Sequence, residues 1–300
     1  MLTSIRGLSA ATLSAGLLFT AAPAFASETT EAPVVDHTIS ADLIAASAAL
    51  DNTAADSAEV VLTTNTARAV DAVELEETSS IGGETGFSFS ANVALTSEYR
   101  FRGVDLSGGE LAIQGGFDVS HSSGFYAGTW ASSLDEDTVG YGSTELDLYG
   151  GWSGDLSDAI SADVGVIAYT YPDAAAGDFD YYEFYGSLGF SLGPVSATTG
   201  VAYAPDQNSL GSTDNLYLYT DVGIGISGTP LTLNGHVGYT DGFLTFTNDS
   251  KAFDWSISAD VALGGNFSAN IAYVGAEGDI GPGAYDFVDD AVVATISASF

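Results

Sequence analysis

The sequence predicts an all-β fold: a transmembrane antiparallel up-and-down β-barrel of about twelve strands, preceded by a signal peptide and a flexible acidic N-terminal extension. Three observations predict it. From Gly86 onward, apolar and polar residues alternate with period two. The connectors between these runs alternate short and long without exception, as in a barrel with tight turns at one rim and longer loops at the other. The charges fall almost wholly on the strand face opposite Leu, Ile, Val and Phe, which keeps them away from hydrocarbon.

Taken in chain order, residues 1–26 read as an address. Arg6 precedes an apolar run from Leu8 to Ala22, and "AFA" at 24–26 offers a small-x-small cleavage site, so the mature chain is expected to start at Ser27. No later apolar run approaches the roughly 18 residues a membrane helix needs; "LIAASAAL" at 43–50 is far too short. Residues 27–85 are rich in Ala, Thr and acids, lack Phe, Tyr and Trp, and cluster like charges at Glu74, Glu76 and Glu77. They read as a disordered or loosely helical extension, with a periplasmic arm or a plug inside the barrel as alternatives.

Residues 86–300 form the expected barrel. In "FSFSANVALTSEYRF" the apolar Phe87, Phe89, Ala91, Val93, Leu95, Tyr99 and Phe101 alternate with Ser88, Ser90, Asn92, Ala94, Thr96, Glu98 and Arg100, a two-faced strand. Further strands are expected over 110–121, 124–133, 143–152, 160–171, 180–192, 195–203, 215–226, 231–240, 253–263, 266–275 and 287–300. Short connectors such as "HSSG" at 121–124 and "SLGP" at 191–194 are interleaved with longer polar ones at 103–109, 134–142, 172–179, 204–214, 241–252 and 276–286. A soluble β-sandwich also shows period two, but it has no reason to alternate long and short connectors. The last strand, "VVATISASF", ends on Phe300, with Ile296 and Ala298 on its face; a terminal aromatic of this kind resembles the signal read by the outer-membrane assembly machinery.

Composition removes several function classes. Without cysteine there is no disulfide framework, thiolate nucleophile or Cys-ligated metal site. Five Lys or Arg against 40 Asp or Glu leave no basic patch to neutralise phosphates, so nucleic acid is not an expected partner. His37, His121 and His236 are scattered and no G-x-S-x-G motif occurs, so neither an enzyme nor a cofactor or metal is expected. Acidic loops such as "LDEDTVGYGST" and "APDQNSLGSTD" offer hard oxygen ligands for Ca²⁺ or a divalent bridge to lipopolysaccharide, but their spacing fits no EF-hand.

The motifs "S-E-Y-x-F-R-G" at 97–103, "Q-G-G-F-D-x-S-H-x-S-G-F-Y-A-G" at 114–128 and "E-L-D-L-Y-x-G" at 145–151 resemble the TorF-like porin family, a proteobacterial family of unknown function. The resemblance is dense over about 90–172, looser towards the C terminus, and does not reach 27–85. It implies an outer-membrane barrel of a Gram-negative bacterium and carries over no catalytic residues.

Reading the inward positions off each strand gives a lumen wall of Glu98, Glu110, Asp118, Glu145, Asp147, Asp163, Glu183, Asp221, Asp254 and Asp260, joined by Arg100, Arg102 and His236 and narrowed by Tyr149, Tyr169, Tyr181, Tyr185, Tyr217 and Tyr219. Rings of carboxylates favour cations. The expected function is a porin-like channel for small cationic or neutral solutes, and its expected partners are outer-membrane lipid, lipopolysaccharide and the assembly machinery. The alternative is a non-conducting barrel with a structural, adhesive or cation-binding role. Arg100 and Arg102 are expected near the external mouth, with Tyr99 and Phe101 facing lipid. Across the first hairpin Arg102 then falls opposite Glu110 and Glu98 opposite Gln114, while Arg100 meets Asp289 at the closing seam, so that the four charged residues Arg100, Arg102, Glu110 and Asp289 form a clamp.

Overall fold

The computed structural model describes residues 86–174, 179–281 and 285–300; the expected signal peptide at 1–26 and extension at 27–85 lie outside the described residues. Its strands, in chain order, are β1 (Phe87–Thr96), β2 (Arg100–Phe101), β3 (Val104–Asp105), β4 (Ala112–His121), β5 (Phe125–Ser133), β6 (Thr144–Ser157), β7 (Ile160–Thr170), β8 (Tyr181–Leu192), β9 (Val195–Gln207), β10 (Thr213–Gly225), β11 (Leu231–Gly242), β12 (Lys251–Gly264), β13 (Phe267–Ala276) and β14 (Ala291–Ser299). All but β2 and β3 form one closed antiparallel barrel of neighbouring strands, with β1 paired to both β4 and β14. Closure removes every free sheet edge, which is what lets strands cross an apolar layer without unsatisfied backbone groups.

Alternation decides which side faces out. On β8, Tyr181, Glu183 and Tyr185 are buried, whereas Tyr182, Phe184 and Leu188 are exposed. Around the wall the exposed set is apolar, with Leu192 and Ile257 each 66% exposed and Phe125 64%. So large an apolar band is the surface of a barrel that sits in lipid. At the seam Thr96 faces Thr295 and their hydroxyls bond at 2.9 Å. Below them Ala91 and Phe300 exchange both backbone bonds, at 2.8 and 2.9 Å, so the terminal residue completes the closing ladder.

The interior is fitted by pairing tyrosine with glycine across neighbouring strands. A Cβ on Gly128 would lie 2.6 Å from the Tyr149 ring, and one on Gly238 would lie 2.6 Å from the Tyr217 ring. Gly151 and Gly200 stand in the same relation to Tyr126 and Tyr219. Each bare backbone lets an aromatic ring lie flat against the wall, the way glycines in designed barrels are covered by aromatics.

Two expectations about boundaries change. Several strands run further than period two suggests, β9 to Gln207 and β6 to Ser157. The first strand is shorter: it ends at Thr96 rather than at Phe101, and the chain then turns into the barrel.

Candidate functional site

The site grows from the segment that leaves the wall. After Thr96, residues 100–105 form a two-stranded hairpin, Arg100 opposite Asp105 and Phe101 opposite Val104, turning at Arg102 and Gly103. Both turn residues have positive φ, 46° and 79°, the requirement of a two-residue hairpin turn of the primed type. Gly103 suits it, and a side chain there would strike Gly275 and Ala276. Arginine does not suit it, so Arg102 holds a conformation that costs energy and must be secured by its contacts.

Those contacts are extensive. The Arg102 guanidinium forms a forked pair with Glu183, Nη2 to Oε2 at 2.8 Å and Nη1 to Oε1 at 3.3 Å. It lies over the Tyr217 ring at 3.9 Å and the Phe101 ring at 4.7 Å. Tyr169 donates to the same carboxylate at 3.1 Å and stacks on Tyr181 at 4.5 Å. Arg102 is 9% exposed and Glu183 not at all. Burial works against the Arg102 charge, but the Glu183 carboxylate more than offsets this and lifts its pKa above the ordinary arginine value.

Around this pair the loop rim is roofed. Residues 101–107 are all buried, and Phe101, Val104 and Leu106 pack with Leu134, Val139, Leu210, Leu244 and Val288 from the other loops. Asp105, fully buried, ties the hairpin down by accepting bonds from the Ser107 and Gly109 backbones at 2.9 and 2.8 Å and from the Tyr285 hydroxyl at 2.5 Å. Burial and that bond push the Tyr285 hydroxyl above its ordinary pKa. Arg100 closes the seam, reaching the Asp289 carboxylate at 2.9 Å, its carbonyl at 2.6 Å and the Gly103 carbonyl at 3.0 Å. It also pairs with Glu98, whose pKa burial raises even though Arg100 pulls it down.

Below the roof the wall changes character. Towards the turn rim Asp118, Asp221 and Asp260 are only partly buried and Asp163 is 8% exposed. Tyr149 donates to Asp118 at 2.5 Å and Tyr126 to Asp163 at 2.6 Å. Asp260 is held by Asn234 and Asn270. His236 sits between Asp221 at 2.6 Å and Asp254 at 2.9 Å, with the Tyr217 hydroxyl 3.0 Å from its Nε2. One chain of contacts thus runs from Glu183 through Arg102 and Tyr217 to His236 and the partly solvated lower lumen.

Several sequence expectations are corrected here. Arg102 does not oppose Glu110: the hairpin carries it inward to Glu183, and Glu110 stands exposed before β4. Glu98 does not face Gln114, which pairs with Ala94. Tyr99 and Phe101 turn away from lipid into the interior, 3% and 1% exposed, because the chain has left the wall. Glu145, Asp147 and Glu183 are on the inner face but closed off from solvent, Tyr99 donating to Glu145 at 3.0 Å. In the acidic loop "LDEDTVGYGST", Asp135 caps the one-turn helix α1 (Glu136–Val139), accepting from the Thr138 backbone N–H at 2.9 Å. Among the described residues no group of three acidic or histidine side chains is arranged to hold a metal. Asp105 and the tyrosine and glycine partnership are the site features that sequence reading missed.

A family model for a bacterial protein of unknown function (Gcw_chp) matches residues 80–300. Solved structures similar in fold include the KdgM porin in complex with disordered oligogalacturonate, at 6% identity and TM-score 0.47, with 71% of this chain and 97% of the porin covered. An outer-membrane channel from Pseudomonas putida F1 follows at 10% identity and TM-score 0.44, with 77% and 98% covered. The outer-membrane protein opdK from Pseudomonas aeruginosa is 11% identical with TM-score 0.39, covering 72% of this chain and 67% of its own. No curated protein matches the chain in sequence.

Proposed function

The chain belongs to the Gcw_chp family of bacterial proteins of unknown function, and on that premise we propose that it is a TorF-like porin of a Gram-negative outer membrane, passing small cationic or neutral solutes through an acidic lumen. The observation that carries the reading is the charge of the inner wall. Asp118, Asp163, Asp221 and Asp260 line the turn-side half, while Arg100 and Arg102 are committed to Asp289, Glu98 and Glu183. Such a wall draws cations in and turns anions away. Tight turns would face the periplasm and the roofed rim the outside. Because Gly86 enters beside Ser122 of a tight turn, the extension 27–85, once residues 1–26 are removed, would lead off on the periplasmic side. Outer-membrane lipid, lipopolysaccharide and the assembly machinery that reads Phe300 are its proposed partners.

The roof itself favours a second reading, a barrel that stabilises the membrane or adheres through its loops without conducting. Planar-bilayer recording separates the two. Conductance steps with a cation-selective reversal potential, made less selective by Asp118→Asn with Asp221→Asn, support the channel. Absence of steps from pure refolded protein favours the structural barrel.

A further inference from the structure

We infer that the wall around Glu183 is a binding site for solutes carrying a guanidinium group, and that Arg102 fills this site as a built-in occupant which such a solute displaces. This deepens the channel reading and rests on it only for how solutes arrive. Three features make the wall a receptor rather than mere packing. Glu183 is fully buried and presents both oxygens to a planar fork, the geometry that selects guanidinium over a point-charge ammonium. The face of Tyr217, on the wall, lies 3.9 Å from the cation, as in aromatic recognition of organic cations. The Tyr181 hydroxyl, 3% exposed and stacked on Tyr169, has no hydrogen-bond partner, so an acceptor is left over beside the pocket that a guanidinium with a differently directed stem could use.

The occupant is held less well than the receptor is built. Glu183, Tyr169, Tyr181 and Tyr217 belong to long paired barrel strands, whereas Arg102 stands at the tip of a two-residue turn with φ of 46°, a strained conformation for arginine. Releasing Arg102 relieves that strain, and a free guanidinium takes over its bonds to Glu183 and its place over Tyr217. Tyr217 also reaches His236 at the top of the partly solvated lower lumen, so the turn side is the side from which a solute would come. Phe101 would leave with the hairpin, so only the wall residues stay in place for the solute.

The test uses the refolded full chain in detergent. Arg102→Gly empties the site and also suits the positive φ. Methylguanidinium is expected to raise its melting temperature saturably at millimolar concentration, where sodium chloride of equal ionic strength does not, and to bind at least tenfold more tightly than to wild type. Adding Glu183→Gln should abolish the rescue. No saturable shift, or an equal shift from sodium chloride, overturns the inference. If Arg102→Gly does not refold, the wild type decides. Trp130 packs edge-on against Tyr99 of the displaced segment at 5.6 Å, so methylguanidinium should change its emission saturably, and a response no different from sodium chloride, or one that persists in Trp130→Phe, overturns the inference. No current is measured in either assay, so their failure is distinct from failure of the channel reading.

Discussion

The loop-side and turn-side halves of the lumen are lined with the same two residue types, tyrosine and carboxylate, but they use them differently. On the loop side Glu145, Asp147, Glu183 and Asp254 are at most 3% exposed, and the positive charge of Arg102 is brought in by a hairpin to meet one of them. On the turn side Asp118, Asp221 and Asp260 remain in contact with solvent and are steadied by neutral donors such as Tyr149 and Asn270. Water therefore screens one set and not the other, so a bond of similar length carries very different energetic weight in the two halves. The loop side works as a packed core and the turn side as a polar vestibule.

The sharpest way to break the loop side is to remove half of its buried pair. Arg102→Met leaves Glu183 charged, fully buried and without its cation, and should cost about 3–5 kcal/mol. The shift to the unfolded band on unboiled gels should occur at a lower temperature. Arg102→Met with Glu183→Leu, which removes both charges, should recover much of the loss, whereas an equal loss in the double variant would show that the fork contributes nothing beyond packing.

Next in size is Asp105. Asp105→Ala strands the Ser107 and Gly109 amides and the Tyr285 hydroxyl under the roof, at a cost of about 1–3 kcal/mol. Protease cutting between Tyr99 and Glu110 should then appear at temperatures where wild type resists. Unchanged protection would mean that the hydrophobic contacts of Leu106 and Phe101 hold the hairpin without this anchor.

The same contrast explains what could be read from the sequence. Period two and alternating connector lengths gave twelve wall strands because a barrel's two faces meet two different solvents, and a residue's neighbours in sequence suffice to show that. The inward acids of β6 to β12 followed from it. The hairpin at 100–105 did not, since Tyr99 and Phe101 continue the alternation of β1 even though they are apolar for another reason, burial under the roof rather than contact with lipid. The one local sign was Gly103 after Arg102, a two-residue turn that shortens the strand. Arg102 with Glu183, 81 residues apart, and Tyr149 over Gly128 depend on register across the closed sheet, which no local pattern specifies.

On the turn side the effects should be smaller. Tyr149→Phe removes the 2.5 Å bond to Asp118, but this partly exposed carboxylate can take water in its place, so about 1 kcal/mol or less is expected. Denaturant midpoints measured beside Asp105→Ala would test the ranking of the halves. A loss as large as that of the anchor would show that the vestibule is as dry as the core.

The smallest effect should come from outside both halves, and it isolates burial as the variable. Lys251 and Asp241 are the same kind of pair as Arg102 and Glu183, opposite charges on neighbouring elements, with Nζ 3.5 Å from Oδ2, yet their side chains are 51% and 45% exposed. At that exposure the attraction is spread over a high dielectric and screened by salt, and ordering the long lysine offsets most of it. Lys251→Ala should therefore change stability by no more than about 0.5 kcal/mol. Whatever it does change should shrink as salt is raised. Arg102→Met measured in the same series should keep its full cost at high salt, because ions do not reach Glu183. If both variants respond to salt alike, the loop side is permeated by solvent and the division of the lumen into core and vestibule fails.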